Sequence, residues 1–188
     1  MPGTTPRGYP FPLYTDPMDP AANIQALATA VDTDMDALWD RLTAGLNQPA
    51  CRIRASGVNQ AIAVSTDVTA TYDTELYDNQ GMVNLGVSNT TVNIVQTGLY
   101  LAVGRASFLS NGNATIGARQ LALVSSGSLG TVGRRCQEGS INQTTGVTLS
   151  VLFWAAGGTT FTMVQRQNSG AVLNTSTRQL MVARMGTL

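Results

Sequence analysis

Seven apolar residues near the start of the chain, Ile24, Leu27, Val31, Met35, Leu38, Leu42 and Leu46, fall on one helical stripe. The steps between them run 3, 4, 4, 3, 4, 4. Six steps over 22 residues give about 3.67 residues per step, the period of a straight or slightly right-handed helical bundle. Asp19-Pro20 supplies an N-cap acceptor followed by proline at the first helical position, and Gly45, Asn47 and Pro49 supply the stop. A helix over 20–46 would be about 40 Å long. Alone it cannot bury its stripe. Folding back onto its own domain is one solution, but no second long helical pattern exists to receive it, and Asp32, Asp34, Asp36 and Asp40 decorate the other faces. Copies of itself are the economical partner, with Trp39 beside the seam closing one end.

Charge divides the chain in two. Residues 1–48 carry two Arg against six acids, a net of −4, and residues 49–188 carry nine Arg against five acids, a net of +4. The arginines are spread rather than striped, which argues against nucleic acid as a partner. Every one of the eleven basic residues is Arg. That removes amine chemistry and favours planar, bidentate pairing; it also resembles the usage of a GC-rich genome. No apolar run approaches the length of a membrane span. The start of the chain lacks a basic-then-apolar signal pattern, so assembly in a host cytoplasm is expected. In that setting Cys51 and Cys136 are expected to be reduced and buried.

Before the helix, residues 1–18 hold Pro2, Pro6, Pro10, Pro12 and Pro17, a density that predicts an extended, polyproline-like arm. Tyr9, Phe11 and Tyr14 are interleaved with them. Large rigid side chains on a stiff arm suit docking into pockets, so these three are the candidates for anchoring to a larger assembly. After the helix, residues 49–188 read as short strands divided by Gly, Asn, Ser and Thr clusters. Candidate strands are 51–56, 60–65, 81–85, 98–109, 115–124, 131–137, 146–155, 160–167, 171–173 and 177–185. About ten strands at this spacing predict a β-sandwich or barrel. In 99–108 both alternating sets are apolar: Leu99, Leu101 and Val103 on one side, Tyr100, Ala102, Ala106 and Phe108 on the other. The 177–185 segment repeats the pattern. A strand with one wet face should alternate cleanly. Here the second face is expected to meet another copy.

The segment Thr97-Gly98-Leu99-Tyr100-Leu101 resembles the strand that opens the core of the complement globular-head and tumour-necrosis-factor jelly rolls. Tyr77-Asp78-Asn79-Gln80-Gly81-Met82 looks like that family's approach to it. The hydrophobic stretch 149–154 followed by Gly157-Gly158-Thr159-Thr160-Phe161 resembles its penultimate hairpin, with Gly158 where relatives carry Asp. Leu180-Met181-Val182-Ala183-Arg184-Met185 resembles the closing strand. The likeness covers roughly 50–188. It implies a ten-stranded jelly-roll head that trimerises about a three-fold axis, with Tyr100 at the axis and Ala102, Phe108, Met181 and Met185 in the same interface. The front piece, Gly8-Tyr9-Pro10-Phe11-Pro12 ahead of Asp19-Pro20 and Ile24-Gln25-Ala26-Leu27-Ala28, looks like the start of small structural proteins of actinobacterial tailed phages.

Chemistry is nearly absent. Without histidine there is no Ser-His-Asp or Cys-His arrangement and no imidazole for zinc. Asp73, Glu75 and Asp78 cluster, but such a group is more simply a solvated turn than a calcium site. No catalytic residue, cofactor or metal is expected. The expected architecture is mainly β: an extended arm (1–18), a helical stalk (19–48) and a jelly-roll head (49–188). The expected function is a non-enzymatic homotrimeric virion protein on the particle surface, whether tail fibre, minor tail protein or capsid decoration. Its partners would be itself, other virion proteins, and a host surface glycan or receptor. A soluble trimeric carbohydrate- or receptor-binding bacterial module is the alternative.

Overall fold

The computed structural model describes residues 3–4, 10–11, 20–112, 115–126, 129–140 and 142–186. The chain divides into two compact units, Met1–Asn47 and Gln48–Leu188. In the first, strands β1 (Gly3–Thr4) and β2 (Pro10–Phe11) pair antiparallel, Gly3 opposite Phe11 and Thr4 opposite Pro10. The rest of the expected extended arm, residues 1–2, 5–9 and 12–18, lies outside the described residues. Proline is tolerated because both strands of a two-stranded ladder are edges. Helix α1 spans Pro20–Leu46. Within it the Thr29 and Thr33 hydroxyls donate to the Gln25 and Thr29 carbonyls, each at 2.9 Å, so these polar side chains are satisfied on the helix itself.

Among the described residues the second unit holds ten strands: β3 (Ala50–Ile62), β4 (Val68–Thr69), β5 (Thr74–Asp78), β6 (Thr91–Asn93), β7 (Gly98–Phe108), β8 (Gly117–Ser125), β9 (Thr131–Gly139), β10 (Thr145–Ala155), β11 (Thr160–Gln167) and β12 (Leu173–Gly186). One sheet has the order β10-β7-β12-β3-β5; the other runs β4-β11-β8-β9, with β6 also on β11. Two antiparallel sheets packed face to face make a jelly-roll sandwich. Between them, Phe153 lies 4.6 Å from Phe161 and 6.1 Å from Tyr100, ring centre to ring centre. Aromatic contacts at these separations add about 1 kcal/mol each beyond area burial. Gly104 lets the sheets approach closely, since a Cβ there would sit 2.8 Å from the Met163 sulfur.

Toward one end the interior turns polar. Gln60 accepts from the Thr71 N–H (3.2 Å) and the Gln165 amide (3.0 Å) and donates to the Thr69 carbonyl (2.7 Å). Arg178 is buried; its guanidinium donates to the carbonyls of Thr71 (3.1 Å), Thr175 (2.7 Å) and Val58 (2.9 Å), and the nearby Asp73 favours its charge. Two of those bonds join β12 to β3 and to the loop after β4, and the third ties Arg178 back to Thr175 on its own strand. They explain why four expected strands are two. The turn-like residues around Gly57 and Ser176 predicted breaks in 51–65 and 171–185. Instead each strand runs through, the irregularity between Thr175 and Thr177 being pinned by the Arg178 fork.

Other expectations change too. Residues 81–85 form no strand: the Asp78 carboxylate accepts the Gln80 and Val83 N–H groups (3.2 and 2.7 Å), and Gly81 adopts a φ of 70°. A side chain there takes the place of ladder partners. Strand β5, which carries Glu75 and Asp78, was not expected because its residues are mostly polar or exposed. It pairs only with β3 as a sheet edge, where such composition belongs.

Candidate self-association surfaces

In α1 the seam is exposed in the single chain. Ile24 is 68% accessible, Met35 59% and Leu38 61%, with Leu27, Val31 and Trp39 exposed as well. The side chains of Leu42 and Leu46 lie outside the described residues. So do the anchoring candidates Tyr9 and Tyr14 and the side chain of Phe11, whose backbone belongs to β2.

The head presents a second apolar surface, on the outward side of the β10-β7-β12-β3-β5 sheet. Register places Leu152, Leu101, Ala183 and Ala50 in one row across it. The next outward row is Ser150, Val103, Met181, Arg52 and Tyr77. Trp154 and Leu99 form a third. Leu152 and Met185 are each 58% accessible and Trp154 40%. Leu99, Leu101, Val103, Met181 and Ala183 are half-buried.

Met181 and Met185 therefore stand where an interface could use them. Tyr100, Ala102 and Phe108 do not, and their expected role is corrected. All three point inward and are at most 1% accessible in the single chain. The Tyr100 hydroxyl donates to the Gln96 carbonyl at 2.6 Å, and burial raises its pKa. The outward set of this strand is the odd-numbered one. Arg105 and Ser107 are the signal that assigns it, because a sandwich interior does not accept an unpaired arginine at that position when the alternate residues are Tyr, Ala and Phe. Leu99, Leu101, Val103, Leu152 and Trp154 are thus the surface residues that sequence reasoning left out.

A clasp of polar groups stands near the start of β7. The Arg184 N–H donates to the Pro49 carbonyl (2.8 Å), and its guanidinium to the Gln48 (2.9 Å) and Gln96 (3.1 Å) side chains and the Thr97 carbonyl (2.8 Å). It covers Gly98 so closely that a Cβ there would meet Arg184 Nε at 2.5 Å and the Gly186 carbonyl oxygen at 2.6 Å.

Asp73, Glu75 and Asp78 do not converge on an ion. Asp78 serves its turn, Glu75 stands opposite inward-facing Ile53, and among the described residues no three acidic or thiol side chains come together. Both cysteines are free. Cys51 is buried on β3, as expected. Cys136 is exposed on β9, an edge strand with little cover, which corrects the expectation for that residue. Burial, then the nearby Asp78, pushes the Cys51 thiol up to about 12 from 9.0. The raised value means that stability from the neutral thiol is complete below pH 9 and is lost as pH climbs toward 12. A thiol reagent at about pH 8 should therefore consume one thiol per folded chain quickly and the second only on unfolding. Cys51→Ala should flatten the decline in thermal stability above pH 9; an unchanged slope would refute the assignment.

No protein-family model and no curated protein sequence matches the chain. Solved structures do. The globular domain of zebrafish complement 1qA protein is 13% identical, with a TM-score of 0.54 over 72% of this chain and 94% of that one. Murine APRIL is 11% identical, with a TM-score of 0.57 over 73% and 99%. Eiger TNF from S. frugiperda is 12% identical, with a TM-score of 0.51 over 76% and 95%. At these identities the property shared with complement globular heads and tumour-necrosis-factor-like domains is the jelly-roll fold.

Proposed function

We propose that the protein is a non-enzymatic homotrimer of a tailed-phage virion. In this reading residues 1–18 fix it to the particle, α1 forms a trimeric stalk, and the jelly-roll head faces outward to a host glycan or receptor. The observation that carries self-association is the exposed α1 seam. A 27-residue helix with six large apolar side chains open to water has no reason to persist unless copies cover it. The outward apolar rows of the head sheet support the same reading from a second place. The phage setting rests on the likeness of the arm and helix start to small phage structural proteins. Tyr9, Phe11 and Tyr14 are the anchoring residues in it.

Light scattering on the purified protein should give the mass of a trimer; a monomer at micromolar concentration refutes the proposal. Deleting residues 1–16 should leave a folded trimer that no longer joins particles, and normal incorporation would turn the orientation around. Copy number per purified particle separates a tail fibre from a capsid decoration. Absence from particles altogether would favour the soluble receptor-binding module, for which the complement-like and tumour-necrosis-factor-like fold is the supporting observation.

A further inference from the structure

Below the apolar rows, the same outward sheet face changes character. Register sets Thr148, Arg105, Gln179, Arg54 and Thr74 in one row across all five strands. Arg52 lies one outward row away, between Met181 and Tyr77. Neighbouring strands are about 4.8 Å apart, which puts Arg105 and Arg54 about 10 Å from each other with Gln179 between them. With its amide oxygen turned toward Arg52, Gln179 accepts from that guanidinium. All three arginines are exposed.

Among the described residues the acid nearest these rows is Asp73, at the sheet edge, whose carboxylate accepts from the Thr74 hydroxyl (2.7 Å) and also favours the charge of inward-facing Arg178. Asp78 and Glu75 oppose the inward residues Cys51 and Ile53. The ion pair of Arg166 with Asp67 lies on the other sheet. Outward rows on one face repeat about every 7 Å along a strand. Copies that meet with the Val103–Met181 rows beside their common axis would bring their Arg105–Gln179–Arg54 rows near one another as well. Like charges removed from water together are strongly unfavourable unless a counter-charge joins them. A guanidinium fork matches the two oxygens of a phosphate or carboxylate.

We infer that Arg54 and Arg105, with Arg52 and Gln179 beside them, form an oxyanion site that is completed when head sheets of several copies meet, and that it takes a multivalent phosphate- or carboxylate-bearing ligand. This rests on self-association through the outward sheet face. Full-length protein is compared at about pH 7 in chloride and in low-millimolar inorganic phosphate at equal ionic strength, below the range in which phosphate stabilises proteins generally. Phosphate should raise Tm by several degrees, and titration calorimetry with tripolyphosphate should give one anion per trimer. Arg54→Gln with Arg105→Gln should abolish both responses while keeping the trimer mass. Polygalacturonate in place of tripolyphosphate tells a carboxylate source from a phosphate one. Identical melting of wild type in the two buffers overturns the inference, as does a full response in the double variant. The first of these results is also what a carboxylate of the neighbouring copy in the same place would produce. A monomer in both buffers refutes the self-association reading instead.

Discussion

Full-length protein carrying both Val31→Asp and Leu38→Asp is expected to run as a monomer at micromolar concentration, where the proposed assembly requires wild type to run as a trimer. Both positions lie on the α1 seam two turns apart, and each substitution would set several carboxylates facing one another in a water-poor bundle. An unpaired buried ion costs several kcal/mol even after relaxation. Two per chain exceed what a seam of this length can offset, and each ~1.4 kcal/mol is tenfold in association. Circular dichroism should show helix loss in parallel, because a lone helix of this length is marginal in water. Both side chains are exposed in the single chain, so the head should melt as before. Asp36→Asn, off the seam, serves as the control. A wild-type mass for the double variant would mean the seam faces something other than a copy.

Arg178→Ala is expected to be the most damaging single change in the head. It leaves the Thr71, Thr175 and Val58 carbonyls without their donor. A buried group so orphaned costs about 1–3 kcal/mol, giving a loss of roughly 3 kcal/mol or more once relief of the buried guanidinium's own desolvation is counted. Tm should fall by about 10 °C at the usual scaling for a unit of this size. Arg178→Lys keeps the charge but cannot present a planar fork to three carbonyls, and should recover only part of the loss. Arg134→Ala, exposed on the edge strand β9, should change Tm by no more than a degree or two. Equal melting of Arg178→Ala and Arg134→Ala would show that the interior polar network does not hold the two long strands together.

How far the sequence could be read depends on where its signals were local. The helix ends were legible because Asp19-Pro20 and Gly45 to Pro49 act on the backbone within a turn. Strands such as Thr160–Gln167 and Gly98–Phe108 were legible from length and flanking turn residues. Which side of a two-faced strand looks inward is a tertiary property, so Tyr100 and Phe108 were assigned to a surface that Leu101 and Val103 occupy. The merged strands depended on Arg178, whose partners lie up to 120 residues away in sequence. Apolar, two-faced strands did make the outward apolar rows of the head sheet legible. The arginine row on that surface was not, because it exists only in the cross-strand register.

Strand β12 lies between β7 and β3, in the middle of the sheet that bears the outward apolar rows. It is also the last head strand to leave the ribosome, long after the β3 strand it pairs with. Until it arrives, β3 and β7 have no common neighbour and the sheet cannot close. Such late, non-local pairing makes for slow folding. Helix α1, with only near-neighbour bonds, can form as soon as it emerges. On a polysome the helices of adjacent nascent chains would thus be ready to gather while their heads were still open. Subunit choice would then be made early and close to the message, before any head surface exists to take part in it.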